Sequence, residues 1–331
     1  KLEAALCEKL ETPNLRLFTN GHLALECAIA ALKLEPGEII TTPFTFVSTT
    51  HAIVRCGFTP VFCDVEPTYF TLDASKLEQA ITPRTRAILP VHVYGNPCDM
   101  EAIERIAAKH NLPVLYDAAH AFGVSIRGRA VSDFGTASMF SFHATKCYNT
   151  IEGGAVATKD AAYAELLNGY KNFGYHPDEE ICEVGGNAKM NEFQAAMGLL
   201  NLKYFDREIE KRGKVAARYR ANLSGIAGLS FRPIPDGVKQ NFAYMPVTFD
   251  PAVFGQNRDQ VNDALKQYGI FARKYFYPLT SESACYDGRF DPNETPVALA
   301  ASRSVLTLPM YASLPLTDVD DICEIVAGCK K

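Results

Sequence analysis

Between residues 38 and 142 short apolar runs alternate with helical stretches, and this rhythm limits the fold more than any other feature of the chain. Strands are expected at 38–42, 59–64, 87–93, 112–116 and 137–142, with helices at 73–80 and 100–110. A β-helix-β alternation of this kind builds an α/β fold around a mostly parallel sheet covered by helices on both faces. Further helices are expected at 2–10 and 23–32, and one long helix from 192 to 213 that continues to 223. Glycines 225 and 228 and the run Pro233-Ile234-Pro235-Asp236-Gly237 then break the pattern. The chain thus divides into a large domain, residues 1–225, and a smaller C-terminal α/β domain, residues 226–331. Strands at 244–249 and 270–276 and helices at 258–268 and 318–329 would make up the second. No internal repeat interrupts either part.

Residues at the C-terminal ends of parallel strands are the natural place to look for chemistry, because ligands bind there in open α/β sheets. Asp117 closes the strand 112–116. The strand 137–142 runs into Ser141-Phe142-His143-Ala144-Thr145-Lys146, followed shortly by Gly153 and Gly154. A lysine there can lose water around its ammonium, which lowers its pKa and frees a neutral amine to attack a carbonyl. A lysine snorkelling out of a strand end would leave the same local pattern. The pairing with Asp117 favours chemistry. A lysine and a carboxylate one crossover apart are the two protein groups that pyridoxal phosphate requires.

Composition narrows the partners. The 331 residues carry a formal charge of −5, which argues against a nucleic-acid binder with its usual basic face. No stretch reaches the length of a membrane span. The ten cysteines are scattered, without a CxxC pair or a His/Cys cluster at zinc spacing. They fit buried, reduced thiols of a cytoplasmic protein with no metal site.

Residues 41–49, 60–65, 90–100, 117–123, 141–154, 186–190, 273–278 and 308–311 together resemble the DegT/StrS family of sugar aminotransferases. These stretches occur in the family's order along nearly the whole chain. The resemblance implies a fold-type I aminotransferase that uses pyridoxal 5'-phosphate and passes through pyridoxamine 5'-phosphate. It implies that Lys146 holds the cofactor and that Asp117 pairs with the ring nitrogen. Asn20, Gly21 and His22, at the start of the helix 23–32, would bind the cofactor phosphate together with Ser141. A helix N-terminus presents free N–H groups and a positive dipole end to such an anion. The family more often has a small hydroxyl residue where His22 stands, so the backbone contact is the firmer expectation. Phe46, chosen over Phe44, would stack on the ring, and His120 would reach its phenolic oxygen. Asn187 would reach the phosphate of the neighbouring subunit, which implies a homodimer with shared sites. Family members also carry a further segment before the first helix.

Arg273, Lys274 and Tyr275 are candidates for the substrate, an anionic nucleotide sugar entering between the domains. The run 143–154 is most similar to members that aminate C4 of dTDP-4-keto-6-deoxyglucose, with L-glutamate as donor. Amination at C3 and a non-catalytic cofactor-binding homologue are the alternatives. A keto-sugar dehydratase of the same family would carry histidine where this chain has Lys146.

Overall fold

The computed structural model describes residues 1–176 and 180–331. The chain opens with α1 (Leu2–Lys9), β1 (Asn14–Phe18), α2 (Gly21–Ala31), β2 (Glu38–Thr41), α3 (Val47–Arg55) and β3 (Thr59–Phe62). Then come α4 (Ala74–Leu77), β4 (Thr85–Ile88), α5 (Met100–Lys109) and β5 (Leu115–Asp117). A small hairpin of β6 (Ser125–Ile126) and β7 (Arg129–Ala130) leads to β8 (Ala137–Ser141), β9 (Gly154–Thr158) and α6 (Ala161–Lys171). Helices α7 (Glu192–Leu202) and α8 (Phe205–Leu223) precede β10 (Leu229–Phe231), β11 (Val238–Lys239) and β12 (Met245–Phe249). The chain ends with α9 (Pro251–Phe254), α10 (Arg258–Gln267), α11 (Pro296–Ser304), β13 (Val305–Leu308) and α12 (Leu316–Gly328).

Strands β3-β2-β4 pair in parallel, and β5-β8-β9-β1 form a second ladder. Parallel bridges Ile88↔Val114 and Val91↔Asp117 join the two into one large sheet. Within it β9 runs against both its neighbours, and the other strands share one direction. The mostly parallel sheet expected from the sequence is therefore present. Alternation along each strand explains its two buried faces. Ile40, Ile88 and Tyr116 point into a core shared with α1 and α5. Their neighbours Ile39, Ala87 and Leu115 point the other way, into a core shared with α2 and α3.

Three expectations fail for local reasons. The strand expected at 87–93 stops at Ile88, because Pro90 has no N–H to give the ladder. The helix expected from 192 onward is two helices, with Lys203 and Tyr204 turning between them on tightened bonds to Leu200 and Asn201. The segment 270–276 is not a strand, and only Arg273 pairs with β13, at Thr307.

The C-terminal sheet is antiparallel, in the order β10-β12-β13. Its core takes in Val215, Tyr219 and Leu223 of α8, Val261 of α10 and Val319 and Ile322 of α12. The expected division after residue 225 falls just behind α8, and β11 pairs back onto β6. A fourth cluster holds Phe44, Tyr94, Phe276, Leu279 and Val305. It ties the large sheet to the C-terminal region.

The start of α2 is seated directly on the ends of β8 and β9. A Cβ on Gly154 would lie 2.7 Å from the backbone of Asn20 and Gly21. Overpacking of this kind costs about 1–3 kcal/mol. Gly154→Ala is therefore expected to lower the stability of the protein by that amount in urea unfolding, and to push α2 away from Ser141.

Candidate active site

The C-terminal ends of β5 and β8 and the N-terminal ends of α2 and α3 open onto one cleft of about 770 Å³. Asp117 ends β5 and is buried there. Its Oδ2 accepts a hydrogen bond from Thr49 Oγ1 at 2.7 Å, and its Oδ1 accepts one from the Ala119 N–H at 3.1 Å. Burial raises the pKa of this carboxyl, while both donors and the nearby Lys146 pull it back.

Lys146 lies in the turn after β8 and faces the same cleft. Its Nζ donates to Tyr244 Oη at 3.4 Å. Loss of water around the ammonium lowers its pKa to about 8, against the attraction of Asp117. This shift carries the amine into the range where a neutral fraction exists near neutral pH.

His120 is buried beside them, and its Nδ1 accepts the Tyr94 N–H at 3.2 Å. Burial, with help from Lys146 and His92, holds its pKa well below the usual histidine range. A neutral ring whose Nδ1 is an acceptor keeps its proton on Nε2. The ring stacks on Phe276 at 5.7 Å between centroids.

The floor of the cleft is a cradle for an anion. Asn20 caps α2 by accepting the Leu23 N–H at 2.9 Å, so its side chain is committed to the helix. The N–H groups of Gly21 and His22 have no partner among the described residues, as the first turn of a helix requires. A Cβ on Gly21 would stand 3.0 Å from the Cβ of Ser141, so glycine lets the helix start approach the end of β8. Two free amides, a hydroxyl and a positive dipole end fit a phosphate. The His22 ring is turned elsewhere, with Nδ1 at 2.8 Å from Ser48 Oγ and Nε2 at 3.0 Å from Glu26.

The two phenylalanines separate clearly. Phe44 is fully buried, edge-on to Phe70, Tyr94 and Phe276. Phe46 lines the cleft and is 54% exposed. Arg273 and Tyr275 also line the cleft, but Lys274 does not. Lys274 is ion-paired with Asp259 at 2.5 Å and sits over Tyr277. Asn187 is exposed and outside the cleft of its own chain. Its neighbour Ala188 accepts the Thr19 N–H at 2.8 Å, beside the cap of α2. Sequence reasoning missed Thr49, Glu152, Gln194, Tyr244 and Phe276 as cleft residues. Thr49 had a signal, since it lies three residues after Phe46 on α3 and so shares its face. Tyr244 had none.

A lysine and a carboxylate at neighbouring strand ends, above a phosphate cradle, can be compared with known proteins. Residues 1–327 match the model of the DegT/DnrJ/EryC1/StrS aminotransferase family. The chain belongs to this family. A relative from Shigella dysenteriae, dTDP-4-amino-4,6-dideoxy-D-glucose transaminase, is 44% identical over 329 residues, which is 99% of this chain and 88% of the relative. The crystal structure of DesI in the presence of its TDP-sugar product superposes with a TM-score of 0.94 at 34% identity, covering 99% of this chain and 83% of DesI. The pyridoxal-phosphate form of Spr1654 from Streptococcus pneumoniae gives a TM-score of 0.92 at 25% identity, covering 99% and 90%. The fold is that of fold-type I aminotransferases. Aminotransferases of this family work with pyridoxal 5'-phosphate, and this chain is one of them.

Thr49 gives this family member a handle on its buried acid. Thr49→Val keeps the shape but removes a donor to a charged oxygen, a bond worth about 1.5–3 kcal/mol. The Asp117 carboxylate is then less favoured, so its pKa rises further. The acid limb of the pH–rate profile is expected to move up by about one to two units, at 1.36 kcal/mol per unit. An unmoved acid limb would show that the Thr49 bond does not govern Asp117.

Proposed function

We propose that this aminotransferase moves the amino group of L-glutamate to C4 of dTDP-4-keto-6-deoxyglucose. The observation that carries the reading is the cleft itself, which gathers Lys146, Asp117, His120 and the α2 cradle at the strand ends. The 44% identity to a transaminase named for a dTDP-4-amino-4,6-dideoxy sugar supports C4 as the position. When bound, pyridoxal phosphate supplies an aldehyde to carry the amino group and a ring that accepts the electrons of the broken C–H bond.

The residues then have distinct tasks. Lys146 Nζ would hold the cofactor aldehyde, and its free amine would serve as the base that carries the donor's Cα proton. Its lowered pKa suits that exchange, because a base works best when its pKa lies near the operating pH. Asp117 would keep a proton on the ring nitrogen, and its bonds from Thr49 and Ala119 favour its charged form. His120, through its Nε2–H, would orient the ring oxygen. Phe46 would cover one ring face by offset stacking. The N–H groups of Gly21 and His22 and the Ser141 hydroxyl would bind the phosphate. Arg273 and Tyr275 would meet the nucleotide sugar at the cleft mouth, whereas Lys274 is held by Asp259.

Asn187 completes the proposal, because it is exposed and does not line the cleft of its own chain. In a homodimer it would bond the phosphate in the other subunit's site. The reaction would take place in the cytoplasm, where the unpaired cysteines stay reduced.

Incubation with glutamate and a panel of 3-keto and 4-keto nucleotide sugars tests the substrate. The 4-amino-4,6-dideoxy sugar is the expected product, and an amino group at C3 would overturn the C4 assignment. Lys146→Ala should abolish turnover with the fold intact, and retained transamination would exclude Lys146 as the reacting amine. Mixing Lys146→Ala with Asn187→Ala under subunit exchange tests the shared site. A mixed dimer would place both defects in one site, so activity should recover towards half of a wild-type dimer. No recovery, with exchange confirmed by mass, would place Asn187 outside the partner's site.

A further inference from the structure

Tyr244 is the cleft residue that nothing in its own stretch of sequence marks. Its hydroxyl oxygen accepts the hydrogen bond from Lys146 Nζ at 3.4 Å. The ring is held from three sides. His120 meets it edge-on at 4.8 Å, Tyr275 at 5.9 Å, and Tyr94 lies tilted against it at 5.8 Å. Tyr94 is itself buried and donates its hydroxyl to the Tyr275 carbonyl oxygen. These rings form one wall that joins the large sheet to the C-terminal region. The Tyr244 hydroxyl is a fixed point, and the amine facing it sits at the end of a flexible chain.

An amine that gains a proton needs an acceptor for it. Around Lys146 stand Asp117 at the end of β5, Cys147 next in sequence, His120, and the Tyr244 and Tyr275 rings. Arg273, His143 and Glu152 line the same cleft, and the charge of Arg212 on α8 acts on Tyr244. Asp117 already accepts bonds from Thr49 and Ala119. His120 Nδ1 is taken by Tyr94, and the two arginines only donate. Among the described residues, Tyr244 Oη is the side-chain acceptor that Lys146 Nζ bonds. We propose that Tyr244 is a positioning residue whose hydroxyl holds the Lys146 amine in the cleft and stabilises its protonated form. The proposal rests on the reading of Lys146 as the reacting amine.

The sign follows directly. Burial already disfavours the ammonium, so removing its acceptor disfavours it more and lowers the Lys146 pKa. Tyr244→Phe should lower the midpoint by about one unit, the size of one bond to a charged group. The freed amine should also lower kcat while KM for glutamate changes little.

The test uses full-length chains stripped of cofactor, so that Lys146 is read without the reaction. The rate at which trinitrobenzenesulfonate modifies Lys146 is measured against pH from the mass of the peptide that carries it. Wild type, Tyr244→Phe and Asp117→Asn are compared. Asp117→Asn removes the charge that favours the ammonium, so its midpoint must fall and the assay is thereby calibrated. A midpoint lowered by about one unit in Tyr244→Phe supports the proposal. Phenylalanine keeps the ring that fills the wall, and a thermal melt checks this. Site-specific 3-fluorotyrosine at position 244 keeps ring and hydroxyl but weakens the oxygen as an acceptor, and should shift the midpoint less, in the same direction. An unmoved midpoint in Tyr244→Phe, with Asp117→Asn shifted, overturns the proposal. A change in melting or KM alone overturns it too, because packing would explain that. Transamination retained by Lys146→Ala would defeat the functional reading separately and leave the labelling midpoints standing.

Discussion

Asp117 and Lys146 share one cleft and are both buried in it, and the cost of removing water from both is what the surrounding structure has to offset. An uncompensated buried charge costs several kcal/mol, so neither group would stay ionised there alone. Asp117 is supported by a hydroxyl and a backbone N–H and by the opposite charge of Lys146. Lys146 receives less support, and its pKa falls to about 8. This asymmetry divides the labour. The acid is anchored at a rigid strand end by two short bonds, while the amine hangs from a turn with one long bond to Tyr244. In the proposed reaction the group that would stay charged is tightly held, and the group that would lose and regain a proton is loosely held.

The large sheet was legible because its strands alternate between two buried faces, a pattern each segment carries in itself. Ile39 and Ile40 enter opposite cores, as do Leu115 and Tyr116. Pro90 was the visible sign that the strand ending at Ile88 could go no further. The break at Lys203 had no such mark, since the apolar spacing runs through it. The segment 270–276 misled for a subtler reason. Arg273 alone makes a bridge, and the chain then turns, with the Tyr277 N–H bonded to the Lys274 carbonyl oxygen. Arg273, Tyr275 and Phe276 reach the cleft, and Lys274 is turned to Asp259.

The site was legible where its chemistry is local. Gly21 at a helix start, Ser141 and Asp117 at strand ends, and Lys146 in the following turn announce themselves by position. Thr49 reaches Asp117 across 68 residues of sequence, and Tyr244 reaches Lys146 across 98. Such contacts exist only after the sheet and the C-terminal region have packed, and the cluster of Phe44, Tyr94 and Phe276 is the packing that creates them. Phe44 and Phe46 are two residues apart in an almost symmetrical sequence, yet one is core and the other faces the cleft. The start of α3 separates them, since Phe46 is its N-cap residue and Phe44 lies in the bend before it.

The exposed apolar residues give the proposed dimer a physical basis independent of Asn187. Phe193 on α7 is 88% exposed and Val184 is fully so, with Leu200 and Ile151 also largely uncovered. Scattered apolar groups on a surface are ordinary, but exposed ones that cluster mark a place where another surface belongs. Phe193 and Leu200 share a helix and lie seven residues apart, two turns along one face. Asn187 and Val184 belong to the segment just before that helix, and Ala188 is bonded to Thr19 beside the α2 cap. An apolar helix face next to a polar residue that does not line its own cleft would suit the proposed two-fold contact. The apolar face would supply the burial, and the asparagine at its edge would arrive where the other chain presents its free helix amides.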